Sequence, residues 1–330
     1  MKCTNRLQRM LCMLCTVCIA SVSFSGCGMN SATLNNAYDA YSYQNSFTND
    51  SIFVNEEYFA NDLCITNSIN FGTEDTYAEV AQGAGVFNLT TKEVLYNQDI
   101  FTKLYPASTT KIMTAYLIIR DCNLGDIVTV SESAADQASD SSVCGLRAGD
   151  NIIVRDLLYG LMLQSGNDAA EALAEYHSGS VEEFAKVMTE EAHKLGATNT
   201  QFKNPSGLPD ENHYTTVYDM YLIFKEAIQL EKFVEIINSR SQAVVYTNKN
   251  GTTVERTYTN SNRYFKGTVD TPEGFEIIGG KTGTTNAAGY CLVLYSKNED
   301  NEDIISIVFK ADGTHNLYLL MSQILSKFAK

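Results

Sequence analysis

The chain has 330 residues, 44% of them hydrophobic and 19% charged, with a formal net charge of −15. That length can bury a full core of one or two domains, and the negative charge excludes nucleic acid or an anionic lipid surface as an electrostatic partner. The four histidines, His177, His193, His213 and His315, show no H-x-x-x-H or comparable pairing, so no metal site is expected.

The first 27 residues read as a secretion signal. Lys2, Arg6 and Arg9 precede an apolar stretch from Met10 to about Ala20, and small residues follow. Phe24-Ser25-Gly26-Cys27 resembles a lipobox, with phenylalanine where leucine is usual, which makes Cys27 the lipidation candidate. Cleavage elsewhere, or retention as an uncleaved anchor, are the alternatives. All three place the product outside the cytoplasm.

Nine cysteines divide by position. Cys3, Cys12, Cys15 and Cys18 lie in the signal, and Cys64, Cys122, Cys144 and Cys291 remain beyond Cys27. None of these four has C-x-x-C spacing, which argues against a zinc knuckle or a thioredoxin-like redox pair. They read as buried free thiols, with a Cys122 to Cys144 disulfide left open.

Residues 28–76, rich in Asn, Ser, Thr and Tyr with few long aliphatics, read as a flexible polar linker. Order is expected from Tyr77. "VAQGAGVFNLTTKEVLYNQD" gives two short strands around a polar turn at Thr90, Thr91 and Lys92. Pro106 opens a helix in which Ile112, Ala115, Tyr116 and Ile119 recur at helical spacing. "GDIVTV" is a short extended piece, and Asp150 to Gln164 has helical spacing at Leu157, Leu158, Leu161 and Met162, stopping at Ser165-Gly166-Asn167. A further helix restarts with Asn167 as its cap, and Ser180 with Glu183 forms a capping box for the helix through Leu195. "QAVVYTNKNGTTVERTYTN" is a hairpin turning at Asn250-Gly251. "FEIIGGKTG", "GYCLVLYSKN" and "EDIISIVFKAD" are three more strands, and a helix from about Leu317 to Phe328 closes the chain. Helices enclosed by early and late strands predict one α/β (α+β) domain.

Ser108 and Lys111 sit three residues apart at the start of a predicted helix, so the hydroxyl and the amine share a face. That spacing suits a nucleophile and its base; it equally suits a serine cap followed by a solvated lysine. Two more elements follow in order: Ser165-Gly166-Asn167 in a break between helices, and Lys281-Thr282-Gly283 on a predicted strand. S-x-x-K and K-T-G occur once each, whereas S-x-N also occurs at Ser68 and Ser296, so order and context carry the middle motif.

The three motifs, with "PASTTKIMTA", "LLYGLMLQSGNDAAEALAE", "LGATNTQFKNPSGL" and "GGKTGTTNAAGY", resemble the low-molecular-weight penicillin-binding proteins that are serine-type D-alanyl-D-alanine carboxypeptidases, the S11 peptidases. The resemblance runs from about Tyr77 to the end. It implies a DD-peptidase/β-lactamase-like catalytic domain over 77–330, a mainly antiparallel sheet flanked by helices with a helical subdomain. It further implies Ser108 as nucleophile, Lys111 as base, and Ser165 and Asn167 closing the cleft. Lys281, Thr282, Gly283 and Thr284 would bind substrate, the backbone N–H groups of Ser108 and Thr284 would form the oxyanion hole, and no cofactor is required. Gly279, Gly280 and Gly283 would let a peptide approach the strand edge. Peptidoglycan stem peptides would be the substrates and β-lactams covalent inhibitors, with the membrane reached through an N-terminal lipid or signal anchor.

Two departures from that pattern stand out. The family's C-terminal β-rich domain is not expected here, the final amphipathic segment reading instead as the last core helix. Where an arginine often helps hold the substrate carboxylate, "FKADGTHNLYLL" offers Lys310 and His315. A serine β-lactamase is the chief rival, but Gly166 occupies the centre of the S-x-N motif and no E-x-x-L-N loop is found, Asp210 and Glu211 reading as turn residues. DD-endopeptidase cleavage would use the same groups. A cell-wall-binding lipoprotein or β-lactam sensor is the non-enzymatic alternative, against which the intact nucleophile and base argue. Asp168 and Glu171 are assigned to favouring a helix N-terminus.

Overall fold

Strand and helix periods alternate along the chain, and the sheet that results is buried on both faces. The computed structural model describes residues 60–330; the signal, Cys27 and the first part of the expected linker lie outside them. In chain order, strands β1 (Gly83–Asn88) and β2 (Glu93–Gln98) come first. A 3₁₀ turn, Ala107–Thr110, runs straight into helix α1 (Lys111–Asp121). Then come β3 (Ile127–Thr129), α2 (Glu132–Ala135) and β4 (Asn151–Ile153). Helix α3 (Val154–Tyr159) continues through a π-helical turn, Gly160–Gln164, and is followed by α4 (Asn167–Ser178), α5 (Val181–Lys194), α6 (Val217–Ala227) and α7 (Glu231–Asn238). The hairpin β5 (Ser241–Thr247) and β6 (Thr253–Thr259) leads to α8 (Arg263–Lys266), β7 (Glu276–Thr285), β8 (Gly289–Lys297), β9 (Asp303–Ala311) and α9 (Thr314–Phe328).

The main sheet has order β2-β1-β9-β8-β7, antiparallel throughout, and a second sheet has order β3-β4-β5-β6. Alternation along the central strands sends Cys291, Val293, Ile305, Ile307 and Phe309 to a core shared with α1, α6 and the helical region. Leu292, Leu294, Ile304 and Val308 face the opposite way, onto Leu317, Leu320, Met321 and Ile324 of α9. The final segment is thus a core helix, as expected. No helix among the described residues is long and apolar enough to cross a membrane.

Two boundaries differ from the sequence reading. The segment Asp150 to Gln164 is not one helix, because Asn151–Ile153 pairs with β3 in the register Val128 to Ile152; adjacent β-branched residues favour the strand, and the helix begins only at Val154. Residues 60–76, expected within the linker, pack on the domain. Cys64 is buried, its N–H donates to the Tyr221 hydroxyl (2.9 Å), and its carbonyl accepts from the Tyr218 hydroxyl (3.0 Å). Phe71 exchanges backbone hydrogen bonds with Asn97, and Asp62 pairs with Lys225 at 2.5 Å. A chain starting at Tyr77 loses all of these. We expect it to melt roughly 5–10 °C below one starting at Ala60, the equivalent of about 2–3 kcal/mol of lost burial and hydrogen bonding; equal thermal melts would contradict this packing.

Candidate active site

The site is built where the main sheet's edge strand meets the helical region. The 3₁₀ turn carrying Ser108 is tight: Ala107 is held at φ 48°, and Thr109 Oγ1 donates to the Pro106 carbonyl at 2.7 Å. Two glycines let neighbouring backbone close on it. A Cβ at Gly283 of β7 would lie 2.8 Å from the Ser108 nitrogen, and one at Gly207 would lie 1.8 Å from the Ala107 carbonyl oxygen. A Cβ at Gly279 would meet the Ile237 carbonyl at 2.5 Å, and one at Gly280 the Val293 carbonyl at 2.1 Å. These three strand glycines therefore let neighbouring protein backbone pack closely on β7.

Helix spacing brings Lys111 Nζ to 3.0 Å from Ser108 Oγ. Ser108 makes no capping bond and Lys111 is 0% exposed, which removes the reading of a cap beside a solvated lysine. The amine also donates to Asn167 Oδ1 (2.8 Å) and to the Ser206 carbonyl (2.8 Å). Asn167 was expected to cap α4; it is instead the helix's first residue, and its side chain is committed to Lys111. A π turn ends at Ser165, which takes a left-handed φ of 61° and accepts at Oγ from Lys281 Nζ at 3.0 Å. Lys281, also buried, donates to the Thr282 carbonyl at 2.8 Å.

Two buried amines in one site disfavour each other's charge. Burial, then the neighbouring Lys281, pushes the Lys111 amine well below the ordinary lysine range. Burial brings Lys281 down to about 7. Both shifts favour the uncharged amine, that of Lys111 through burial and its cationic neighbour, that of Lys281 through burial.

β7 is an edge strand, so one row of its backbone groups is open for pairing. The Thr282 hydroxyl lies 2.6 Å from that of Ser261, and Thr284 is exposed. Lys310 takes a left-handed φ of 55° and lines a groove of about 490 Å³ with Thr284, Thr285 and Tyr290, while His315 is exposed on α9. Asp210 and Glu211 are exposed turn residues.

Four contributors were not legible as site residues. Asp168, assigned to a helix N-terminus, does accept from Ala169 N (2.9 Å), but its buried carboxylate chiefly holds a loop, accepting from the backbone of Cys144 (2.8 Å), Gly145 (2.9 Å) and Leu146 (3.0 Å). That loop packs Cys144 Sγ where a Cβ on Gly166 would need to be. Cys144 and the other described cysteines are free, so no Cys122 to Cys144 bridge forms. His213 is buried and donates to Thr110, the last residue of the turn carrying Ser108, at 2.9 Å, because its Nδ1 accepts from Lys203 N at 3.2 Å. Ser206 and Ser261 complete the set. Among the described residues no cluster of His, Cys, Asp and Glu is placed to hold a metal ion.

A serine hydroxyl within hydrogen-bond reach of a buried lysine, with a second lysine across the cleft, can activate an oxygen nucleophile for acyl transfer. Over residues 72–313 the chain matches the S11 peptidases, D-alanyl-D-alanine carboxypeptidase, and it belongs to that family. It is 38% identical to the D-alanyl-D-alanine carboxypeptidase DacF of Bacillus subtilis, over 71% of this chain and 58% of that one. To DacC of Escherichia coli it is 36% identical, over 66% of this chain and 54% of the relative. The chain thus spans a little over half the length of these curated relatives. Its fold matches the crystal structure of the Streptomyces K15 DD-transpeptidase with a TM-score of 0.69 and 30% identity, over 74% of this chain and 95% of that one. The expected DD-peptidase fold of antiparallel sheet and flanking helices is confirmed.

Proposed function

We propose that the chain is a serine-type D-alanyl-D-alanine carboxypeptidase that removes the terminal D-alanine from peptidoglycan stem peptides and binds penicillin. The observation that carries this reading is the Lys111 to Ser108 contact at 3.0 Å with Lys281 opposite, in a chain of this family. Lys111 takes the Ser108 proton as Oγ attacks the penultimate D-alanine carbonyl. The backbone N–H groups of Ser108 and Thr284 hold the oxyanion. The peptide bond then breaks, the leaving D-alanine amine takes a proton relayed through Ser165, and the acyl group stays on Ser108 until water releases it. Asn167 and the open edge of β7 hold the peptide as an added strand, and Thr282 with charged Lys281 receives its terminal carboxylate. Gly283 brings that strand to the nucleophile. The family's described chemistry asks for no cofactor.

The same acyl-enzyme is what a β-lactam would leave behind. A β-lactamase needs a group to activate water for rapid release; Asp168 is occupied by backbone donors, and Asp210 and Glu211 stand exposed. Secretion and anchoring through Cys27 complete the proposal: a peptidase on the outer face of the membrane, where its substrate is.

D-Alanine release from a diacyl-Lys-D-Ala-D-Ala peptide by residues 60–330 tests the reading, together with intact mass after penicillin treatment. We expect release and one penicilloyl adduct on the Ser108 peptide; folded protein showing neither would refute it. We also expect KM for the peptide to rise as pH passes upward through about 7, because Lys281 is charged below that value and loses its proton above it. A KM flat from pH 6 to 9 would remove Lys281 from carboxylate binding.

A further inference from the structure

The three partners of Lys111 are chemically unequal, and the inequality orients the base. A neutral amine has two N–H donors and one lone pair. Asn167 Oδ1, at 2.8 Å, and the Ser206 carbonyl, at 2.8 Å, can only accept, so they take the two hydrogens. Ser108 Oγ, at 3.0 Å, is the partner that has a proton to give, and the lone pair is left facing it. One of the two orienting groups is a backbone carbonyl on an irregular loop, which something must hold.

Asn204 holds it. Its Oδ1 accepts from Ser206 N (3.2 Å), Ser206 Oγ (3.2 Å), Gly207 N (2.7 Å) and Leu208 N (3.1 Å), while Nδ2 donates to the Leu208 carbonyl (3.0 Å). Around that turn, Thr114 Oγ1 donates to the Pro205 carbonyl at 2.7 Å. His213 ties Lys203, next in the loop, to Thr110. The Asn204 contacts fix the turn within itself, and those of Thr114 and His213 hold the 203–208 loop against the start of α1. We propose that Asn204 is a positioning residue for the base: it aims the Ser206 carbonyl at one N–H of Lys111, so that with Asn167 on the other the lone pair points at Ser108. This rests on Lys111 being the base of the proposed reaction.

The test must read nucleophile activation without assuming the substrate, so it follows phosphonylation of Ser108 by a fluorophosphonate. The oxygen–phosphorus bond forms, the phosphorus–fluorine bond breaks, fluoride leaves, and the serine proton passes to Lys111. Rates by intact mass from pH 5 to 10 are compared for wild type, Asn204→Ala and Asn204→Asp, with thermal melts and D-alanine release alongside. For Asn204→Ala the plateau is expected to fall about 10–100-fold, as for a misaimed catalytic group. Its acidic limb is expected to move to lower pH, because a carbonyl that favours the protonated amine has been withdrawn. The other ionisable groups facing Lys111, namely Lys281 on β7, Cys144 on the loop before β4 and Asp168 on α4, are unchanged. Aspartate at 204 keeps the acceptor oxygen but brings a negative charge. Its plateau should stay within about 3-fold of wild type, with the limb moved to higher pH.

A fallen plateau with an unmoved limb, or aspartate no better than alanine, would reduce Asn204 to a structural residue and overturn the proposal, as would an unaltered Asn204→Ala profile. Wild type that is phosphonylated on Ser108 yet releases no D-alanine would refute the substrate reading instead, and the variants' limbs would still decide the brace.

Discussion

Lys111→Met is expected to slow acylation of Ser108 by about 10²–10⁴-fold, the range for loss of a positioned general base, while the protein stays folded. The amine lies 3.0 Å from Ser108 Oγ and is sealed from solvent, so bulk water cannot substitute for it. Stopped-flow acylation by a chromogenic cephalosporin reads the rate. A proposed nucleophile and base that act as a unit lose their effects together, so residual D-alanine release by Lys111→Met with Ser108→Ala should be no slower than that by Ser108→Ala alone.

The same substitution has a signature in stability. Burial holds the amine well below its ordinary range in the folded protein, whereas the unfolded chain protonates it normally. Above the folded value and up to the ordinary lysine value, the unfolded state therefore binds the extra proton, and stability rises with pH. Lys281 contributes in the same sense from about pH 7 upward. Removing one such amine should flatten the rise by about 1.4 kcal/mol per pH unit. Chemical denaturation of wild type and Lys111→Met at pH 7, 8 and 9 measures it, and parallel curves would show that Lys111 is protonated in the fold. A site that costs stability to keep two amines buried is the expected trade for an activated nucleophile.

Those amines were legible in the sequence because their positions follow from regular geometry. Helical spacing fixes Ser108 against Lys111, and a strand with period 2 places Lys281 and Gly283 on one side and Thr282 on the other. The late strands and the last helix were legible for the same reason. What could not be read acts through groups the side-chain pattern does not encode. Ser206 contributes a backbone carbonyl, and Asp168 binds three amides of a loop more than twenty residues away. Asn167 shows the ambiguity directly: an asparagine opening a helix reads as a cap, and only the fold shows that Lys111 competes for its oxygen and wins. Residues 60–76 looked like linker because their composition is polar, but two well-placed residues, Cys64 and Phe71, dock them.

Gly207→Ala should do the second-largest damage, and in a way that separates backbone fit from chemistry. The new Cβ would stand 1.8 Å from the Ala107 carbonyl oxygen, 2.3 Å from the carbonyl carbon and 2.9 Å from Thr110 Oγ1. Two of these are backbone atoms of the turn carrying Ser108, which cannot swing aside as a flexible side chain can. The φ of +87° adds strain of its own. Together these are worth about 3 kcal/mol or more, or roughly 6–12 °C in Tm for a domain of this size. Gly179→Ala is the matched control, with φ +80° and nothing within 4 Å of its Cβ, so it carries strain without collision. We expect it to lose only about 1 kcal/mol. If the 203–208 loop moves away to relieve the collision, the Ser206 carbonyl goes with it, and the Gly207→Ala protein should acylate about 10²-fold slower even well below its Tm. Equal melts together with equal acylation rates for the two variants would mean that the close packing of Gly207 on the Ser108 turn carries neither stability nor rate.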